Sequence, residues 1–142
     1  MKQTKWVAVL MVFLLSGCAM FEEVGPAELA IDEDKREIIT AINQKLKETE
    51  ELYDTIVIAA DDQILVSYKV KHMNRFKMKG IEKKLNKWFE KKYPDEQIDV
   101  SSDYKIFLES YNLIQNWTED KLTKKEAKKK FDKIIKLKNE MT

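Results

Sequence analysis

The sequence predicts an α+β fold: a two-layer sandwich in which a three-stranded sheet is covered by amphipathic helices, in the order α-β-β-α-β-α-α. Three observations predict it. Apolar residues return at helical spacing in four separate segments. Residues 55–70 instead combine a β-branched run with period-two alternation. Three glycines and two prolines are too few to sustain long irregular stretches, so most of the chain must lie in regular elements.

The first helix is read from residues 35–53, where Ile38, Ile39, Ile42, Leu46 and Leu52 form an apolar stripe on a charged cylinder. Asp32, Glu33 and Asp34 precede it, and negative charge there suits the positive end of a helix dipole. Residues 55–59 follow as a compact β-branched strand. After Asp61 and Asp62, the side chains of Ile64, Val66, Tyr68 and Val70 alternate with Leu65, Ser67, Lys69 and Lys71. That alternation predicts one buried and one exposed face. The short Ala-Asp-Asp-Gln link makes the two strands a hairpin, because aspartate tolerates the dihedrals of a tight turn.

A loop through His72 leads to a second helix near residues 79–93, with Met78, Ile81, Leu85, Trp88 and Phe89 on one face and Pro94 as its stop. Ile98 and Val100 mark a short strand over 97–101. Ser102 is the expected N-cap of a third helix, which carries Tyr104, Phe107, Leu108, Tyr111 and Ile114. Thr123-Lys-Lys-Glu126 has the form of a capping box. It opens a lysine-rich helix whose apolar positions are Ala127, Phe131, Ile134 and Ile135.

The one cysteine, Cys18, has no disulfide partner in the chain and no second cysteine with which to share a metal. Ahead of it stand Lys2 and Lys5, ten apolar residues (6–15), and small Ser16 and Gly17. These are the charged region, apolar region and cleavage site of a secretory signal peptide. Leu15, Ser16, Gly17 and Cys18 resemble the lipobox of bacterial lipoproteins. The resemblance implies cleavage before Cys18 and a diacylglyceryl group, with acyl chains of the palmitate kind, on its thiol. A retained transmembrane helix is the competing reading, but uncharged residues 6–21 number sixteen, short of the roughly 20 that a bilayer requires. The expected organisation is a signal peptide over 1–17, a tether over 18–34 broken at Gly25-Pro26, an α+β domain over 35–117, and a lysine-rich helix over 118–142.

Charge is balanced in total, with 26 Lys/Arg against 25 Asp/Glu, so nothing calls for a nucleic-acid partner. Its distribution is uneven. Residues 69–92 hold ten Lys/Arg and two Glu, and residues 121–138 hold nine Lys and two acids. Lys124, Lys125, Lys128, Lys129, Lys130 and Lys133 form either a solvated face or, in the sharper reading, a contact with anionic lipid headgroups that the basic surface of residues 69–92 shares. Each lysine near such a surface is worth roughly 1 kcal/mol.

No catalytic residue, metal or cofactor is expected. His72 is the only histidine, whereas a metal site needs three or four converging ligands. Turn formation explains Asp61 and Asp62. A KH-type nucleic-acid domain needs a Gly-x-x-Gly loop, and Gly80 is the only glycine after Pro26.

The run DTIVIAADDQILVSYKVK, followed by GIEKKLNKWFEKKYPDEQIDVSSDYKIFLESYNLI, resembles the spore and germination lipoproteins of the YhcN/YlaJ type. The matching positions are Asp54, the Asp61-Asp62 turn, strand residues 66–70, the basic helix 81–94, and Val100-Ser101-Ser102-Asp103. The likeness covers about residues 54–117. It implies an endospore-forming bacterium, a spore-membrane location, a part in sporulation or germination, and no catalytic centre. Two features depart from that pattern: the long low-complexity linker of some members is missing, and the lysine-rich terminal helix has no counterpart. The expectation is an exported protein, lipid-anchored on the extracytoplasmic face, with a non-enzymatic structural or interaction role and a protein partner that the sequence does not name. The alternative is an accessory subunit of a vegetative membrane complex. The helix-strand order also resembles ring-building and BON-type domains of membrane-associated assemblies, which leaves self-association open by analogy alone.

Overall fold

The computed structural model describes residues 27–142. The expected signal peptide, the lipobox-like residues Leu15, Ser16, Gly17 and Cys18, and the first part of the expected tether lie outside the described residues. Within them the chain is α+β. Its elements are β1 (Ala27–Ala30), α1 (Arg36–Lys47), β2 (Leu52–Ala60), β3 (Gln63–Val70), α2 (Met78–Lys92), β4 (Gln97–Ser101), α3 (Tyr104–Thr118) and α4 (Lys124–Met141). Two 3₁₀ turns, Glu33–Lys35 and His72–Lys77, precede α1 and α2.

The sheet has four strands, not the expected three. Ala27–Ala30, assigned by sequence to the tether, pairs in parallel with β2, Ala27 opposite Ile56 and Ala30 opposite Ala59. Four residues flanked by acids carry too little periodicity to announce a strand. Leu29, Ala30 and Ile31 become core only because β2 offers an edge to pair with. Strand order is β1-β2-β3-β4, with the outer pairs parallel and the central hairpin antiparallel. Each parallel pair is closed by a crossover helix, β1-α1-β2 and β3-α2-β4, as parallel strands require.

The expected two layers are three. One sheet face, carrying Val57, Ala59, Ile64, Val66, Tyr68, Val70 and Val100, packs with Ile39, Ile42 and Leu46 of α1 and Ile81, Leu85 and Phe89 of α2. The opposite face carries Leu29, Ile56, Ile58, Ala60 and Leu65. It packs with Ile106, Phe107 and Leu113 of α3 and Ala127, Phe131, Ile134 and Ile135 of α4. The exposed face expected for β3 is therefore buried: Leu65 and Ser67 have no accessible surface. A strand covered on both sides reads as an almost continuous apolar run, and Thr55 to Ala60 and Ile64 to Val66 are such runs.

Local chemistry sets the helix ends. α1 stops earlier than its apolar stripe suggested. The Thr49 hydroxyl donates to the Lys45 carbonyl at 3.0 Å and the Thr49 N–H to Leu46 O at 3.1 Å, which frees Leu52 to open β2. α2 ends at Tyr93, before Pro94. The N-cap of α3 is Asp103 rather than Ser102: its Oδ1 accepts from Lys105 N at 2.8 Å and Ile106 N at 3.1 Å. A carboxylate there also meets the positive end of the helix dipole. α3 finishes in a Schellman motif, with Asp120 N–H to Trp117 O, Lys121 N–H to Asn116 O, and Asp120 at φ 54°. The capping box at α4 is present, Thr123 N donating to Glu126 Oε2 at 2.8 Å and Glu126 N to Thr123 Oγ1 at 3.2 Å.

Candidate functional site

Strand register sorts the surface into two ends. At one, the hairpin turn Asp61-Asp62 lies beside Asp32 and the start of α4. At the other, β1 and β2 begin, β3 and β4 finish, and α3 starts.

The turn end is a closed ionic cluster. Asp61 has φ 51°, a left-handed conformation that aspartate tolerates. Its N–H donates to Asp32 Oδ2 at 2.7 Å. Lys124 Nζ meets Asp32 Oδ1 at 2.7 Å, and Lys128 Nζ bridges Asp32 Oδ2 at 3.2 Å and Asp61 Oδ1 at 2.7 Å. The Lys124 ammonium first, then the Asp61 N–H and Lys128, hold the Asp32 carboxyl well below the usual carboxylate range. Asp61 and Asp32 in turn raise Lys128. This cluster fastens α4 to the β2–β3 turn.

A depressed carboxylate stabilises the fold above its unfolded pKa and loses that contribution as pH falls towards its folded value. Asp32→Asn is therefore expected to destabilise by about 1–2 kcal/mol at neutral pH, after allowing for screening at the largely exposed Lys124. The gap between wild type and variant should narrow once the pH drops below about 4. Urea midpoints at pH 7 and in acid check this; an equal gap at both would refute it.

Of the six lysines expected at headgroups, Lys124 and Lys128 are thus engaged within the chain. Lys129, Lys130 and Lys133 line a groove of about 350 Å³ between α3 and α4, with Glu109 and Glu126 on its walls. Lys125 is exposed. The structure does not gather the six onto one surface.

The opposite end gathers a different set. Lys69, near the end of β3, pairs with the buried Asp54 carboxylate at 3.5 Å. Its ammonium also lies 4.4 Å from the Phe107 ring centroid, 5.4 Å from Tyr104 and 5.8 Å from Tyr53. Such contacts keep a half-buried cation satisfied. A cleft beside it is lined by Tyr53, Lys69, Val70, Arg75, Met78, Ser102 and Tyr104. His72 is exposed on the adjoining 3₁₀ turn. Burial first, then the charge of Glu82, pushes the Tyr68 phenol up to about 12, so it stays neutral at physiological pH.

The exposed large apolar side chains of the described residues are Tyr53, Met73, Phe76, Tyr104, Leu108 and Met141. Tyr53 and Tyr104 border the cleft, Met73 and Phe76 stand on the 3₁₀ turn, and Leu108 follows Tyr104 by one helical turn. Met141 shares a groove with Ser102 and Asp103. All six therefore belong to this end. Sequence reasoning missed that patch. The available signal was Met73 and Phe76 spaced by three in a stretch, 70–81, that contains no acid.

Among the described residues, no group of three or more His, Cys, Asp or Glu converges on a metal-sized site, and no helix is long and apolar enough to cross a membrane. Fold and surface together define a small α+β domain with one end neutralised by internal ion pairs and the other basic and apolar. No protein-family model, curated protein or solved structure matches this chain.

Proposed function

We propose that this chain is an exported lipoprotein, held on the extracytoplasmic face of a membrane by a diacylglyceryl group on Cys18. Its folded domain acts there as a structural or interaction component rather than as an enzyme. The observation that carries this reading is the sequence Leu15-Ser16-Gly17-Cys18 behind a charged and apolar leader. Within this proposal, the likeness of residues 54–117 to YhcN/YlaJ-type lipoproteins supports a role in sporulation or spore germination. A deletion strain whose spores germinate like wild type would remove that role.

The geometry of the domain supports the anchor. Cys18 precedes β1 by only a few residues, and β1 enters the sheet at its basic, apolar end. Intact-mass analysis of the protein from its native host is expected to find a chain beginning at Cys18 and bearing a diacylglyceryl adduct. A free thiol with residues 1–17 still attached would sink the proposal.

A further inference from the structure

Met73 and Phe76 are the most exposed large apolar residues described, at 80% and 82%. Both stand on the 3₁₀ turn His72–Lys77. With three residues per turn, side chains three apart in sequence line up, so the two share one edge. Lys71, Arg75, Lys77 and Lys79 flank that edge, and the nearest acids in sequence are Asp62, at the far hairpin turn, and Glu82 on α2. At this end of the fold the acids include Glu50 and Glu51 before β2, Asp54, which pairs with Lys69, and Asp103, which caps α3. An apolar edge ringed by cations is complementary to an anionic bilayer: the headgroups take the charges and the acyl boundary takes the thioether and the phenyl ring.

Strand register supplies an independent argument. Ala27 lies level with Ile56 and Ser67, so the chain enters β1 at the end where the 3₁₀ turn sits. One strand separates β1 from β3, an offset of about 10 Å. The link from Cys18 to Ala27 reaches at most about 30 Å even when fully extended. An anchor at Cys18 therefore keeps the turn within touching distance of the lipid, at high effective concentration.

We propose that the turn His72–Lys77 docks on an anionic lipid surface, Met73 and Phe76 entering the acyl boundary while Lys71, Arg75, Lys77 and Lys79 meet headgroup phosphates. The proximity argument rests on the anchored-lipoprotein reading; the chemistry of the turn does not.

The test uses the full, host-processed chain carrying Phe76→Cys, labelled with an environment-sensitive fluorophore and reconstituted on vesicles of phosphatidylcholine alone or with phosphatidylglycerol. Position 76 is exposed, so the fold tolerates the change. A lipid-capped Cys18 leaves one label per chain. The expected result is a blue shift and shielding from iodide on the anionic vesicles only. Lys77→Ala should lower the docked-to-undocked ratio about fivefold. A water-like probe on anionic vesicles overturns docking, and if the protein is attached to both vesicles the anchor still stands. Two labels per chain with no attachment to neutral vesicles overturn the anchor, while a blue shift on anionic vesicles still upholds docking. A blue shift given by a single-stranded oligonucleotide but not by vesicles overturns docking in favour of a nucleic-acid surface.

Discussion

Phe131→Ala is expected to destabilise the domain by about 3–5 kcal/mol, the loss typical of truncating a buried aromatic and leaving a cavity. Phe131 is 1% exposed and belongs to the cluster formed by Ile134, Ile135, Leu113, Ile56, Ile58 and Leu65. It joins α4 to the second face of the sheet. Domains of this size are stable by only about 5–15 kcal/mol, so the substitution takes a large share of the total. Lys130→Ala, on the exposed side of the same helix, is the matched control and should stay within about 0.5 kcal/mol. Urea unfolding followed by tryptophan fluorescence reads both, since Trp117 packs against this cluster and Trp88 against the other. Were Phe131→Ala as mild as Lys130→Ala, α4 would be an appendage and the third layer would be wrong.

Cys18→Ser is expected to convert salt-resistant membrane retention into salt-sensitive retention. Two acyl chains bury enough methylenes, at about 0.8 kcal/mol each, to hold a protein against any salt wash, whereas one chain alone is marginal. Without them two contacts remain. The apolar stretch 6–15 is ten residues, about half of what a spanning helix requires. The basic turn acts through charge, and at 1 M salt the Debye length falls to about 3 Å. Wild type should stay in the membrane pellet at high salt while Cys18→Ser moves to the supernatant, with part of it retained at low salt. A variant that stays in the pellet at high salt would point to a retained helix instead.

Features governed by a few neighbouring residues were legible in the sequence. Asp61 and Asp62 announced the hairpin, Pro94 the end of α2, and Thr123 with Glu126 the start of α4. Each depends on backbone hydrogen bonds within a handful of positions. Ser102 was displaced as cap by Asp103 for the same kind of local reason, since the neighbouring carboxylate reaches two helix N–H groups. The candidate site was less legible. The lysines of α4 read as one basic surface, yet Lys124 and Lys128 turn towards Asp32 and Asp61, which lie 92 and 67 residues away in sequence.

The sequence by itself determined an α+β chain, the central hairpin and the amphipathic stripes of its helices. Only the tertiary structure decided that Ala27–Ala30 is a strand, that helices cover both faces of the sheet, and that the exposed apolar residues collect at the end where β1 begins. The physical reason is range. A turn or a cap is fixed by bonds between neighbours, whereas a short edge strand, a second buried face and a surface patch exist only once distant segments supply the partners or leave the gap.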